Sequence, residues 1–183
     1  MQQKTQHRGI IVGFLSLSVL VGAALTTSPA QAQNIGVGPY FAPPAWARTL
    51  PSAARFMILS NFASAAVLDR ETGLVWEKSP DPTSYTWNDS RYQCINKNVW
   101  GRKGWRLPSI PELASLIDPN VTPGPTLPLG HPFTGVLPEV YWSETTNYHN
   151  PDAAWYVNFY DATVFDIDKT DPTHGWCVRG PMQ

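Results

Sequence analysis

The residues best equipped for chemistry fall into three sets: two thiols, three late histidines, and a run of carboxylates among aromatic rings. The thiols are Cys94 and Cys177. A nucleophilic or metal-bound cysteine needs a base or further ligands beside it, and Cys94 falls on a predicted helix with no His nearby in sequence. Zinc hydrolysis requires three ligands around an open position. His131, His149 and His174 show no His-x-x-x-His spacing and sit in loop-rich segments, where solvated loop residues are expected. No Ser lies in a Gly-x-Ser-x-Gly elbow. The sequence therefore presents no convincing catalytic constellation and implies no cofactor. A hard cation such as calcium needs six to eight converging oxygens, and Asp161, Asp166 and Asp168 are the candidate donors, with Asp171 and Glu144 as possible additions.

The third set suits binding better than turnover. Trp155, Val157 and Phe159 alternate with Tyr156, Asn158 and Tyr160, and Phe165 and Ile167 alternate with Asp166 and Asp168. A three-residue loop, Asp161 to Thr163, would put the apolar set on one sheet face. Tyr156, Asn158, Tyr160, Asp166 and Asp168 would then share the other, because a one-residue slip exchanges faces. Rings beside carboxylates and an amide can stack on a flat polar ligand and hydrogen-bond to it. The competing reading is a solvated sheet face. With Trp142 at its border and the loop Glu144 to Asp152 beside it, the candidate ligand set is Trp142, Glu144, Asn147, His149, Tyr156, Asn158, Tyr160, Asp166 and Asp168.

Several elements must position these residues. Ala65 to Glu77 reads as a hairpin turning at Gly73. Thr86 caps a first helix, answered by Asp89 in the manner of a capping box, with Trp87, Arg91 and Cys94 on one face. Ser109, Pro111 and Glu112 open a second helix, with Ile110, Leu113, Leu116 and Ile117 as its apolar stripe and Asp118-Pro119 as its end. Six prolines between Asp118 and Glu139 forbid regular structure. Strands are expected at Tyr141 to Thr145, Ala154 to Tyr160, Val164 to Asp168 and Trp176 to Arg179.

The N-terminus predicts export. Lys4 and Arg8 precede an apolar run from Ile10 to Leu25 that closes on Ala30-Gln31-Ala32, the order of a cleaved secretory signal over residues 1–32. The run is shorter than the roughly 20 residues of a spanning helix, so no membrane span is expected after cleavage. The product would be periplasmic or extracellular, where Cys94 and Cys177 can oxidise. Their only intramolecular pairing closes a loop worth up to roughly 4.5 kcal/mol in the chain-entropy model; a free thiol or metal ligand is the alternative. Residues 33–52, with Gly36, Gly38, Pro39, Pro43, Pro44 and Pro51, read as an irregular arm, and 53–183 as the domain. Charged residues are 15% of the chain, against roughly 25% in average domains. Once Lys4 and Arg8 leave, 11 of the 13 basic residues face 14 acidic ones, a net −3. Nucleic-acid binding, which leaves a basic footprint, is excluded.

The blocks Asp69-Arg70-Glu71-Thr72-Gly73-Leu74-Val75-Trp76, Thr86-Trp87, Cys94, Gly104-Trp105-Arg106-Leu107-Pro108-Ser109, Glu112-Leu113, Tyr141-Trp142-Ser143, Ala154-Trp155-Tyr156-Val157 and Cys177-Val178-Arg179-Gly180 resemble the Lcl C-terminal domain family. The resemblance covers about Arg55 to Gly180. It implies an α+β fold of C-type-lectin-like kind, related to formylglycine-generating enzymes, in which two helices flank a small twisted antiparallel sheet with long loops. It also implies a Cys94–Cys177 bridge, which leaves no thiol for formylglycine chemistry. Trp87-Asn88-Asp89 spells a tripeptide of calcium-dependent lectins, but it starts the first helix instead of lying on a late strand, and reads as a cap. Arg106 and Arg179 are expected to bond carbonyls or carboxylates. One departure is Ala162 where the family's hairpin tip usually has Gly; a positive φ there would cost Ala on the order of 1 kcal/mol. Together these expectations describe an exported, non-enzymatic module that binds a glycan or other cell-surface ligand. A structural or protein-binding accessory subunit of an exported assembly is the alternative.

Overall fold

The computed structural model of the protein describes residues 50–180. The expected signal and residues 33–49 of the expected arm lie outside the described residues. The short helix α1 (Ser52–Arg55) leads into β1 (Phe56–Ile58), and the expected hairpin forms as β2 (Ala66–Asp69) and β3 (Val75–Glu77). They pair antiparallel with Val67 opposite Trp76, and Gly73 takes the positive φ of 74° that the turn requires. A buried ion pair ties this corner together: Arg55 donates to both Asp69 oxygens at 3.0 and 2.8 Å and to the Ser115 carbonyl at 2.8 Å. Ordinary surface patterning gives no sign of it.

β4 (Ser84–Tyr85) precedes α2 (Trp87–Asn96), the longest helix among the described residues. Thr86 Oγ1 accepts from the Asp89 N–H at 3.3 Å and itself donates to Asp89 Oδ2 at 2.7 Å. Helix α3 (Ile110–Ala114) carries Pro111 in its first turn, and the Ser109 N–H donates to Glu112 Oε2 at 2.8 Å. Leu113 in α3 and Leu116 just beyond it are fully buried, but the helix ends at Ala114 and not at the expected Asp118-Pro119.

The remaining strands are β5 (Val140–Thr146), β6 (Ala153–Asn158), β7 (Thr163–Asp168), β8 (Thr173–His174) and β9 (Val178–Arg179). Instead of one small antiparallel sheet, the described residues build two. One has the order β1-β2-β3-β9; the other, β4-β8-β5-β6-β7, is mixed, because β5 and β8 run parallel. The larger sheet is covered on both faces. Tyr141 and Val157 face a core with Trp76, Leu113, Leu116, Phe159 and Trp176. Trp142 and Ala154 face a second core with Trp87, Trp105, Leu107 and the cysteines. Cys94 and Cys177 form a disulfide that joins α2 to the residue before β9.

The hairpin register differs from the sequence expectation. Asn158 pairs with Thr163 and Tyr156 with Phe165, so the connection is four residues, Phe159 to Ala162, and even in length. Tertiary hydrogen bonds end β6 early. The Phe159 N–H donates to the Glu139 carbonyl at 2.9 Å, its own carbonyl accepts from the Thr126 N–H at 2.8 Å, and the Tyr160 carbonyl accepts from the Gly124 N–H at 2.8 Å. Phe159 thereby leaves the sheet for the core. Phe165, expected on the core side, is exposed on the edge strand, whereas Ile167 packs partly against the second core.

Candidate functional site

The corrected register divides the expected ligand platform. In β6 and β7 the cross-strand pairs Trp155–Asp166 and Ala153–Asp168 lie on one face, and Tyr156–Phe165 and Asn158–Thr163 lie on the other. Tyr156 and Asn158 therefore do not share a face with Asp166 and Asp168. Tyr160 is exposed in the connection, where its N–H donates to Asn158 Oδ1 at 2.9 Å. Trp142 is fully buried and donates from Nε1 to the Tyr85 carbonyl at 3.1 Å, so it presents no surface to a ligand. The ring that does stand opposite Asp166 is Trp155, which is half-buried.

Three of the expected residues are brought together from separate elements. Asn147, just beyond β5, donates from Nδ2 to Asp166 Oδ2 on β7 at 2.9 Å, and its Oδ1 accepts from the His149 N–H at 2.9 Å. The same residue is anchored by its own N–H to the Ala153 carbonyl at 3.0 Å. Glu144 on β5 lies 3.6 Å from Arg91 of α2. Arg91 in turn stacks over the Trp87 ring, and Lys169 approaches the same ring at 4.3 Å.

Near this group, two exposed rings escaped the sequence reading. Tyr148 is 89% exposed and meets His149 edge-on at 5.4 Å. Its neighbours Asn147, His149, Asn150 and Pro151 are polar or turn-forming, a signal that could have marked it. Phe165, 57% exposed, alternates like a core residue and carried no such signal.

Asp161, in the connection before β7, and Asp168, at the end of β7, are held locally. Asp161 Oδ1 accepts from the Thr163 hydroxyl at 2.6 Å and N–H at 3.1 Å, which pulls its pKa below the usual carboxylate range. Asp168 Oδ1 accepts from the Thr170 N–H at 2.9 Å and hydroxyl at 2.7 Å, with the same consequence. A six-residue strand separates them by roughly 17 Å, so the candidate cation donors do not converge. Among the described residues no group of three or more His, Cys, Asp or Glu side chains is placed to hold a metal ion.

The histidines are likewise dispersed. His149 is exposed, and His131 is half-buried against Phe133, where burial pushes its pKa down. His174 departs from the expected solvated loop position: it is buried in β8 against Tyr141, with ring centroids 5.4 Å apart, because β8 pairs with both β4 and β5. Arg106 grips Glu112 with two N–H groups at 2.7 Å and also donates to the Leu107 carbonyl, and Arg179 donates to the Lys103 carbonyl at 2.9 Å. Both arginines thus hold loops in place. No helix among the described residues is long and apolar enough to cross a membrane.

A family model described as the Lcl C-terminal domain matches residues 65–179, well over half of the chain and nearly all of the two-sheet unit. No curated protein matches the chain.

Proposed function

From the premise that the chain belongs to the Lcl C-terminal domain family, we propose that it is an exported, non-enzymatic binding module for a carbohydrate. The reading rests on one observation above all: Trp155 stands opposite Asp166, and Asp166 is bonded to Asn147 at 2.9 Å. An aromatic ring beside a fixed carboxylate and amide suits a sugar, whose apolar face stacks while its hydroxyls exchange hydrogen bonds. Tyr148 and His149 on the adjoining loop add exposed surface that can close over the ligand. The acidic character of the patch favours a neutral or cationic glycan over a sulfated one, because sulfate calls for Arg, Lys or a helix N-terminus.

A glycan array probed with and without a chelator tests this reading. Specific signals that persist in chelator and fall at least tenfold in Trp155→Ala and Asp166→Ala are expected. An absence of signal in both conditions, with both variants folded, overturns it.

A second reading draws on a different observation. β7 is an edge strand of the five-stranded sheet, and Val164 and Phe165 are exposed along it. An open edge with exposed apolar side chains can receive an extended segment of another exported protein, which is the accessory-subunit alternative. Capture of one specific partner that is lost in Phe165→Lys, with no glycan signal, would favour this reading over the first.

A further inference from the structure

The chain's charge is unevenly placed. Five of its 13 Lys and Arg lie between Arg91 and Arg106, a stretch without Asp or Glu, leaving eight for the rest of the chain against all 14 acidic residues. Three of these five are neutralised in the fold: Arg91 faces Glu144, Lys97 faces Glu77, and Arg106 faces Glu112. Arg102 and Lys103 form no ion pair among the described residues. Arg179 joins them, since its Nε donates to the Lys103 carbonyl at 2.9 Å and it too forms no ion pair there.

Arg102 and Lys103 lead directly out of a tight turn, and Arg179 is bonded to the second of them. Val99 and Arg102 exchange both backbone hydrogen bonds at 3.1 Å, and the two residues between them, Trp100 and Gly101, have φ of 51° and 76°. Positive φ at both central positions is the two-residue hairpin turn that favours Asn-Gly. A bulky residue at the first position is an outlier, and its side chain is 73% exposed, so packing does not compensate. Arg102 is oriented by the Asn61 carbonyl and the Phe62 ring, 4.7 Å from its guanidinium carbon. Ile95, in the last turn of α2, is also exposed.

We infer that this tip docks on the surface of a bilayer containing anionic headgroups. An indole at the headgroup level, with Lys and Arg beside it, is the pattern of interfacial attachment. A soluble polyanion would use the cations alone and give no reason for a strained, outward Trp. The acidic remainder of the chain is repelled by the same surface, so the charge distribution orients the tip toward it. The surface shares no residue with the proposed glycan patch, and the two functions stand or fall separately.

Partition onto phosphatidylcholine vesicles with and without phosphatidylglycerol tests the inference, using wild type and variants that carry the same N-terminus. Wild type should prefer the anionic vesicles, and the preference should weaken as salt rises. Arg102→Ser and Lys103→Ser should each lower anionic partition about fivefold. Trp100→Asn should lower it about tenfold while raising the urea midpoint, because Asn suits the turn; opposite changes in binding and stability separate docking from folding. Equal partition onto both vesicle types, or unchanged partition in all three variants, overturns the inference. So does retention on a sulfated polysaccharide without partition onto anionic vesicles.

Discussion

The Thr126 N–H donates to the Phe159 carbonyl at 2.8 Å, and this bond helps end β6 where it ends. Phe159 is buried in the core, the paired strands stop at Asn158 and Thr163, and in that register Trp155 stands opposite Asp166. The composition of the proposed ligand patch follows from that contact.

Gly124 sits against the same Phe159–Tyr160 backbone, and a Cβ there would collide with the Phe159 carbonyl. The neighbour is main chain and cannot rotate away. Gly124→Ala is expected to destabilise the fold by about 2–3 kcal/mol, read as a lower urea midpoint, and to weaken any ligand whose binding requires the Trp155–Asp166 register.

Ala162 has a φ of 64°, the left-handed region its side chain disfavours. Its N–H is bonded to the Asn158 carbonyl at 3.0 Å, so the turn is held in spite of that cost. Ala162→Gly should stabilise the protein by about 1 kcal/mol in chemical denaturation and leave ligand binding unchanged.

The Cys94–Cys177 bridge lies in the second core with Trp87, Trp105 and Leu107. It spans 83 positions of sequence. Paired replacement by Ser should cost about 2–5 kcal/mol. Thiol counting on denatured, unreduced protein should find no free thiol in wild type.

Two carboxylates should move stability with pH in opposite directions. Burial raises the pKa of Glu77 above its ordinary 4.5 despite the attraction of Lys97. Its contribution to stability is therefore complete below about 4.5 and declines as pH rises through the higher folded value. Glu77→Gln should gain stability relative to wild type between pH 4 and 7. For Glu112, burial opposes ionisation but is outweighed by the Arg106 and Ser109 hydrogen bonds, so its pKa falls below 4.5. That contribution is present above about 4.5 and lost as pH falls through the lower folded value. Glu112→Gln should be less stable than wild type at pH 7, with the gap closing on acidification. Urea titrations across this range check both signs.

Adjacent residues settle a good deal of this protein by themselves. The cap at Thr86, the Pro111 and Glu112 start of α3, and the turn at Gly73 all depend on chemistry within a few positions. The burial of Leu113 and Leu116 is equally legible, although α3 stops at Ala114, short of the expected end at Asp118-Pro119. The strand positions near 140–146, 153–158 and 163–168 are legible for the same reason, since alternation is a local pattern. What alternation cannot fix is which alternate set faces inward. That depends on where β6 stops, and the stop is set by Gly124, Thr126 and Glu139 bonding to Phe159 and Tyr160. The burial of Trp142 and His174, the Arg55–Asp69 pair and the division into two sheets are tertiary in the same sense: each satisfies a polar group or fills a volume with residues distant in the chain. The sequence alone therefore specified the longer elements, while the short α1, β1, β4 and β8 carry no local signal of comparable strength. Only packing and long-range hydrogen bonding selected Trp155, Asn147 and Asp166 to stand together.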